Sequence, residues 1–587
     1  MDRSTFFTRL RKSAEISNSP FKPKDPRIEA AEQKSTFSGL VKMGSTIQDS
    51  PFANYGLTLI NRNIPGGLGA YNGVPTYATV SHLVKRTCFN ASVSQINALV
   101  GIGNWTSIFN QLFSSQPLPP APVNPAEIQT NPLLPYPNTT GAFIGVSSPY
   151  SATLETQRNT LIYSQWNDLI LNSPINIKEK MVVFLSSLLV EQEGTIGDAR
   201  FFYGYLNLLR TNATGNYKNL VKGLVIDPGM LVYLNGYQST KLAPNENFGR
   251  ELQELFTIGK GPQTTVGDYT TYSETDVQAA ARVLTGWNVT AYKSNGMVTA
   301  VFNPADHDIS VKKFSPDYGG AVINNNDALE YGDLIDLIFK QNATAIYIVS
   351  RFYKEFVYYY IDSNTMSNII IPLANSFRSN NYEILPLLQQ LLQSQHFFDS
   401  LNIGCVIKNP ITFTAGLQRN LGIQSAGANV ISEAGGLSMG LGNPDQVAGW
   451  KATYETPDLS EWWINSITME NRTQLTDQVV QSNPDAIIAI AQGTSNPADP
   501  NALIADLANL FFPSSLTSDY PGPITSDQHD FLKGILLPGL PDFEWNAQIW
   551  GPYMASSTKA GPAYVSLAGR LTGLFKFMFS MAEYHLS

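Results

Sequence analysis

The stretch Pro244-Asn-Glu-Asn-Phe-Gly-Arg-Glu-Leu-Gln-Glu-Leu-Phe-Thr-Ile-Gly259 decides how the chain is read. At about 100° per residue on a helical wheel, Phe248, Leu252, Leu255 and Phe256 share one apolar stripe, the mark of an amphipathic helix. Pro244-Asn245 stands where such a helix starts and Gly259 where it stops. Asn247, Glu251 and Glu254 form a polar stripe beside the apolar one, and Arg250 is spaced to pair with Glu254 at i, i+4. Two carboxylates at i, i+3 are suited to hold a metal or to divide acid and base work. The same spacing also describes a solvated face with a surface ion pair, worth about 0–1 kcal/mol.

Working outward, helical signals dominate. Ser273–Asp276 reads as a capping box, followed by Val277, Ala280, Ala281 and Leu284 on one face and a stop at Gly286. Apolar residues recur at helical spacing from Thr153 to Leu255. Within that run Ile177–Val190 is apolar nearly all round, which predicts a central helix. Further helices are predicted over Tyr331–Lys340, Ala343–Tyr359, Ile384–Ser394, Pro410–Leu421 and Ala563–Tyr584. Residues 288–325 change character: alternation in Met297–Phe302 and Gly/Asn turns predict a small β excursion. The nine prolines of Ser114–Pro149 predict an extended surface loop. Residues 1–75 are polar, basic and turn-rich, and read as an N-terminal extension to a helical domain over 76–587. The expected fold is therefore mainly α: a multi-helical globular domain with a small β excursion and long loops.

Composition narrows the function. Of 587 residues, 43% are hydrophobic, enough for a sizeable core. Net charge is −9, and no long basic run lies outside the first few dozen residues, which argues against binding nucleic acid through phosphate neutralisation. No apolar run reaches the ~18 residues of a membrane span. Charged residues are 14% of the chain, against about 25% in ordinary soluble domains. A surface rich in hydroxyls and amides points to the cell envelope or the exterior, although Met1–Asn18 lacks the apolar core of a secretory signal. Cys88 and Cys405 are isolated and fit no thiolate metal site.

Among five histidines, His307 alone sits between two carboxylates, Asp306 and Asp308. It reads either as a base or ligand, or as a residue in a turn after Pro304. His82 reads as a histidine at the edge of the core. HExxH and Walker A motifs are absent. Glu461-Trp-Trp-Ile-Asn465 is an aromatic cluster in which Asn465 reads as a cap.

Several blocks together resemble one family. They are TVSHLVKRTCF (Thr79–Phe89), DPGMLVYL (Asp227–Leu234), the Pro244–Gly259 stretch, YSETDVQAAARVLTGW (Tyr272–Trp287), His307-Asp308, IKNP (Ile407–Pro410), VAGW (Val447–Trp450), WINS (Trp463–Ser466) and AEYHL (Ala582–Leu586). In this order they resemble the bacterial domain of unknown function 1800 family, in the form common in Bacteroidota. The resemblance implies a mainly helical, often exported protein, and a possible partner resembling alkaline phosphatases or sulfatases. It also exposes a departure. Members typically carry a Trp-His-Asn-His-Phe-like segment after a Lys-Met-Val-Leu-Phe-like helix, whereas here Ser186 and Leu188 stand in place of the two histidines.

The resulting expectation is a binding or structural component of a larger complex, with a degenerate site. Glu251, Glu254, His307 and Asp308 are the candidate catalytic groups, and Asn245, Asn247, Arg250 and Arg282 the groups that hold them. These eight are expected around one buried polar site, because buried carboxylates need cationic partners. No cofactor and no tightly held transition metal are expected. Such an oxygen-rich set accepts calcium or magnesium only weakly. The alternatives are a hydrolase-like enzyme using the carboxylates with His307, or a helper of a phosphatase- or sulfatase-like partner.

Overall fold

The Lys178–Leu188 helix is buried at every position from Glu179 to Leu188, as its all-round apolar sequence requires. It packs on the Ala199–Asn212 helix, and Glu179 ties the two together by accepting from Arg210 Nε at 3.1 Å. The Pro410–Asn420 helix is buried along its whole length. Near the C-terminus, Pro562–Ser580 packs against Ser466–Ser482, Pro484–Gln492 and Ser526–Leu536. Leu567, Leu571, Leu574 and Phe575 form a core there with Leu503, Leu507 and Phe511. Ser466–Ser482 escapes apolar periodicity because much of its buried stripe is polar: Thr468, Arg472 and Thr476 recur at i, i+4. Asn465 caps it, accepting from Thr468 N at 2.9 Å.

The computed structural model describes residues 64–123, 130, 144–145, 148–423, 429–456, 458–513, 523–556 and 561–587. Most of the expected N-terminal extension and much of the proline-rich loop lie outside them. Residues 65–587 form one compact unit, in which Tyr71 N bonds Gln393 O and Gln395 N bonds Gly69 O, both at 2.8 Å. The architecture is mainly α-helical. Strands occur, among the described residues, as three two-stranded antiparallel pairs. Two of them, Trp287–Val289 with Ala300–Phe302 and Lys312–Lys313 with Val322–Ile323, fall within the expected β excursion. The third, Gln263–Thr265 with Asp268–Tyr269, forms just before it.

The Pro244–Gly259 stretch is helical but not uniformly so. It runs as α-helix over Glu246–Glu251, capped by Asn245, whose Oδ1 accepts from Phe248 N at 3.1 Å. It then widens into a π-helix over Leu252–Thr257. Side chains support the wider turn. Gln253 Nε2 donates to Gly249 O at 3.0 Å, and Thr257 Oγ1 donates to Leu252 O at 2.6 Å. The extra residue per turn rotates the wheel. Phe248, Leu252 and Phe256 remain buried, but Leu255 turns half outward while Gln253 and Thr257 become fully buried. The single apolar stripe is corrected accordingly.

Gly249 fixes how closely the Glu274–Val283 helix approaches. A Cβ at this position would lie 2.9 Å from both Ala281 N and Val277 O, backbone atoms that cannot step aside. Gly249→Ala is expected to cost about 1–3 kcal/mol through overpacking. Urea unfolding of parent and variant reads this directly.

Candidate functional site

Among the described residues, no hydrogen bond or ion pair links Glu251 or Glu254 to His307 or Asp308. Arg250 does not pair with Glu254 at i, i+4. Its Nη2 reaches Glu274 Oε1 and Oε2 at 2.7 and 2.9 Å. Glu254 instead accepts from Lys260 Nζ at 2.8 Å and from the Tyr272 hydroxyl at 2.7 Å. The π-turn begins between Arg250 and Glu254, so the α-helical spacing that would align them does not hold there. Asn247 is exposed and Asn245 is a cap, its Nδ2 donating to Leu234 O at 2.7 Å.

His307 belongs to a different group. Its neighbouring aspartates do not hold it: Asp306 accepts from Asn303, and Asp308 accepts from Arg282 Nε at 2.7 Å. The partner of His307 is Glu330, with Nε2 to Oε2 at 3.0 Å, while Nδ1 faces Thr285 O at 2.9 Å. Lys312 Nζ lies 2.5 Å from Glu330 Oε1, and all three side chains are wholly buried. Burial alone would raise the Asp308 carboxyl, but hydrogen bonds from Arg282 and Ser310 hold it well below the ordinary range.

The two segments are joined by groups the sequence reading passed over. Tyr318 donates to Gln253 Oε1 at 2.8 Å. Asp276 accepts from Ser273 in the capping box and also from Ser315 N and Oγ, both at 2.7 Å. The link is neutral amide and hydroxyl bonding around one capping carboxylate, not an acid–base pair.

Glu251 makes none of these bonds. Partial burial, reinforced by the charge of Glu254, pushes its carboxyl up to about 7 despite Arg250 and Lys260 nearby. Tyr233 feels the charges of both Glu251 and Glu191. Glu191 is 1% exposed and shares a side-chain hydrogen bond with Asp227. Asp227 is already the cap of Pro228–Tyr233, accepting from Gly229 N at 2.8 Å and Met230 N at 3.2 Å. Gly229 fits because a Cβ there would lie 2.5 Å from Glu191 Oε2 and 3.0 Å from Asp227 Oδ2. Burial, then the charge of Asp227, raises Glu191 well above the ordinary range; burial raises Asp227 to about 6. Two buried carboxyls packed this closely disfavour ionisation of both at once. The sequence signal for Asp227 was its place before Pro228, a helix start; Glu191 had none. Among the described residues, no group of three or more His, Cys, Asp or Glu side chains is arranged to hold a metal ion.

Ser186 and Leu188 are both buried in the Lys178–Leu188 helix, where Ser186 Oγ donates to Val183 O at 2.8 Å. Cys88 is buried and Cys405 half-buried, and both are free thiols. His82 is a core histidine, Nε2 lying 3.1 Å from Phe397 O.

Fold and polar interior together define a mainly helical protein in which Asp227 and Asp276 serve helix starts and Glu254, Asp308 and Glu330 are held by side chains. The family model described as "Protein of unknown function (DUF1800)" matches residues 82–527. The chain belongs to that family. No curated protein and no solved structure matches it.

Two outcomes are expected. Glu330→Ala removes the carboxylate that Lys312 Nζ and His307 Nε2 both face in the interior and should destabilise the fold by about 3–5 kcal/mol in denaturant titration. For Glu191, the raised value in the fold means that the unfolded chain ionises first as pH rises. Stability from this group is present below its unfolded value and is lost as pH climbs toward the folded one. Glu191→Gln removes that ionisation, so between about pH 5 and pH 8 the variant should lose less stability than the parent.

Proposed function

We propose that this chain is a binding or structural component of a larger assembly at the cell envelope, with a site that no longer carries out the chemistry its motifs suggest. One observation carries this reading. Arg250, Glu254, Arg282, His307 and Asp308 are each engaged with a partner inside the fold. The His307–Glu330 pair is wholly buried, so turning His307 to a substrate would break it inside the fold, whereas the pairs of Arg250, Glu254 and Arg282 are part-exposed and hold their groups less firmly. Ser186 and Leu188, standing where relatives carry histidines, offer no imidazole as ligand or base. The low charged fraction of the chain, 14%, favours the envelope. A partner resembling phosphatases or sulfatases, which this protein would help to hold or mature, is consistent with that role.

A hydrolase-like alternative has one observation in its favour. Glu251 is half-buried, makes no ion pair among the described residues and titrates at about 7, as a general acid should.

Metal analysis of the purified native protein separates the two readings. After dialysis against a mild chelator the protein is expected to retain no stoichiometric zinc or iron. Retention of either would overturn the binding reading and restore the enzyme.

A further inference from the structure

Away from the carboxylates lies a cleft of about 70 Å³ lined by six cationic side chains and a single carboxylate side chain, Glu355. One ordered water needs only ~10–15 Å³, so the space suits a small polyatomic ion or the head of a larger ligand. The cations arrive from four separate segments. Lys85 and Arg86 come from the Tyr77–Thr87 helix, Lys180 from Lys178–Leu188, Arg351 and Lys354 from Asn342–Phe356, and Lys408 from the Ile407–Pro410 segment. In a chain of net charge −9 this concentration is not a sample of the average surface.

Glu355 compensates one of the six, Lys180, whose Nζ lies 2.8 Å away. Neutral groups engage others: Lys85 Nζ donates to Phe511 O at 3.3 Å, Arg86 Nη2 to Asn402 O at 3.1 Å, Arg351 Nη1 to Thr453 O at 3.3 Å and Lys408 Nζ to Tyr584 O, while Lys180 Nζ also reaches Thr412 Oγ1 at 3.1 Å. Among the described residues, no hydrogen bond or ion pair engages Lys354 Nζ. Ser460, which also lines the cleft and is 7% exposed, has a hydroxyl without a hydrogen-bond partner among the described residues. Arg472 lies behind Lys408, donating to its carbonyl at 2.8 Å, and adds further buried positive charge.

We propose that this cleft binds a tetrahedral oxyanion, a phosphate or sulfate group, free or as the head of an ester. Several cations converging from different segments match an acceptor with several oxygens and more than one negative charge. A lone carboxylate offers two oxygens and one charge, and leaves most of the lining uncompensated. The state of the lysines agrees. Burial lowers Lys85 to about 8; burial, with Arg351 adding to it, lowers Lys354 to about 8; and burial, with Lys85 and Arg472 adding to it, lowers Lys408 well below the ordinary range. The signal was absent from the sequence because these lysines and arginines are singletons, spread from position 85 to position 408.

The proposal extends the binding reading above by naming a site and a ligand class. It is tested on the full chain by thermal shift and calorimetry, with sulfate, inorganic phosphate and phenyl phosphate, each against sodium chloride at equal ionic strength. At least one of the three is expected to raise the unfolding midpoint and bind saturably. Lys354→Met and Arg351→Met, at half-buried positions, should unfold as the parent does without ligand and bind at least ~10-fold more weakly, the effect of losing one charge-assisted contact. Tighter binding of the inorganic ions assigns the site to the free anion; tighter binding of phenyl phosphate assigns it to an ester. No stabilisation beyond chloride by any of the three, or undiminished binding in both variants, overturns the proposal and leaves the binding reading standing. Turnover of phenyl phosphate would overturn the binding reading while leaving the oxyanion site in place.

Discussion

The buried amide of Gln253 is the constraint on which the polar interior depends. It is 0% exposed, so its donor and acceptor must both be satisfied within the fold. Its Nε2 bonds Gly249 O in the turn that opens into the π-helix, and its Oε1 accepts from Tyr318 in the segment beyond the β excursion. The wide turn brings Gln253 inward and moves Leu255 half outward. That single rotation also separates Arg250 from Glu254, sending one to Glu274 and the other to Lys260 and Tyr272. The family stretch is thus built around satisfying one interior side chain, and its charged residues take the partners this leaves within reach.

Elsewhere the fold places charge in its interior only where a partner is close. Asp198 and Arg200, both wholly buried, face each other two residues apart, and the guanidinium also donates to Ser148 O, Ala291 O and Ser294 O. Arg158 is held by Glu155, and Glu179 by Arg210. Glu330 serves two bases at once. Such pairs contribute little net stability over apolar packing, yet removing one member is costly. They lock helices into one arrangement. Glu191 and Asp227 differ: two buried carboxyls face each other, and burial raises both. The cleft lined by Lys85, Lys354 and Lys408 is the exception: its cations exceed the side-chain carboxylates beside them.

Tertiary packing also explains why chemistry expected at one motif is found distributed. A carboxylate at a helix start is useful to the backbone, because the first N–H groups have no partner within the helix. Asp227 and Asp276 are both used in this way. Once engaged, such a group is a poor candidate for binding substrate, whatever its neighbours in sequence.

The sequence by itself determined the helical class, the start at Asn245, the stop at Gly259, the capping box at Ser273 and the buried helix after Ile177. These follow from local periodicity and caps, and each involves residues within a turn or two of one another. It also marked His307, Asp308 and Arg282 as polar groups needing partners. Only the tertiary structure decided who those partners are. Glu330 lies 23 residues from His307, and Lys408 lies 323 residues from Lys85 across the cleft. The π-turn was invisible for a related reason: a wheel drawn at the α-helical angle cannot register an inserted residue whose support comes from Tyr318, 65 residues away. Pairing of buried charge depends on distances in space, and a spacing rule reaches no further than the helix it describes.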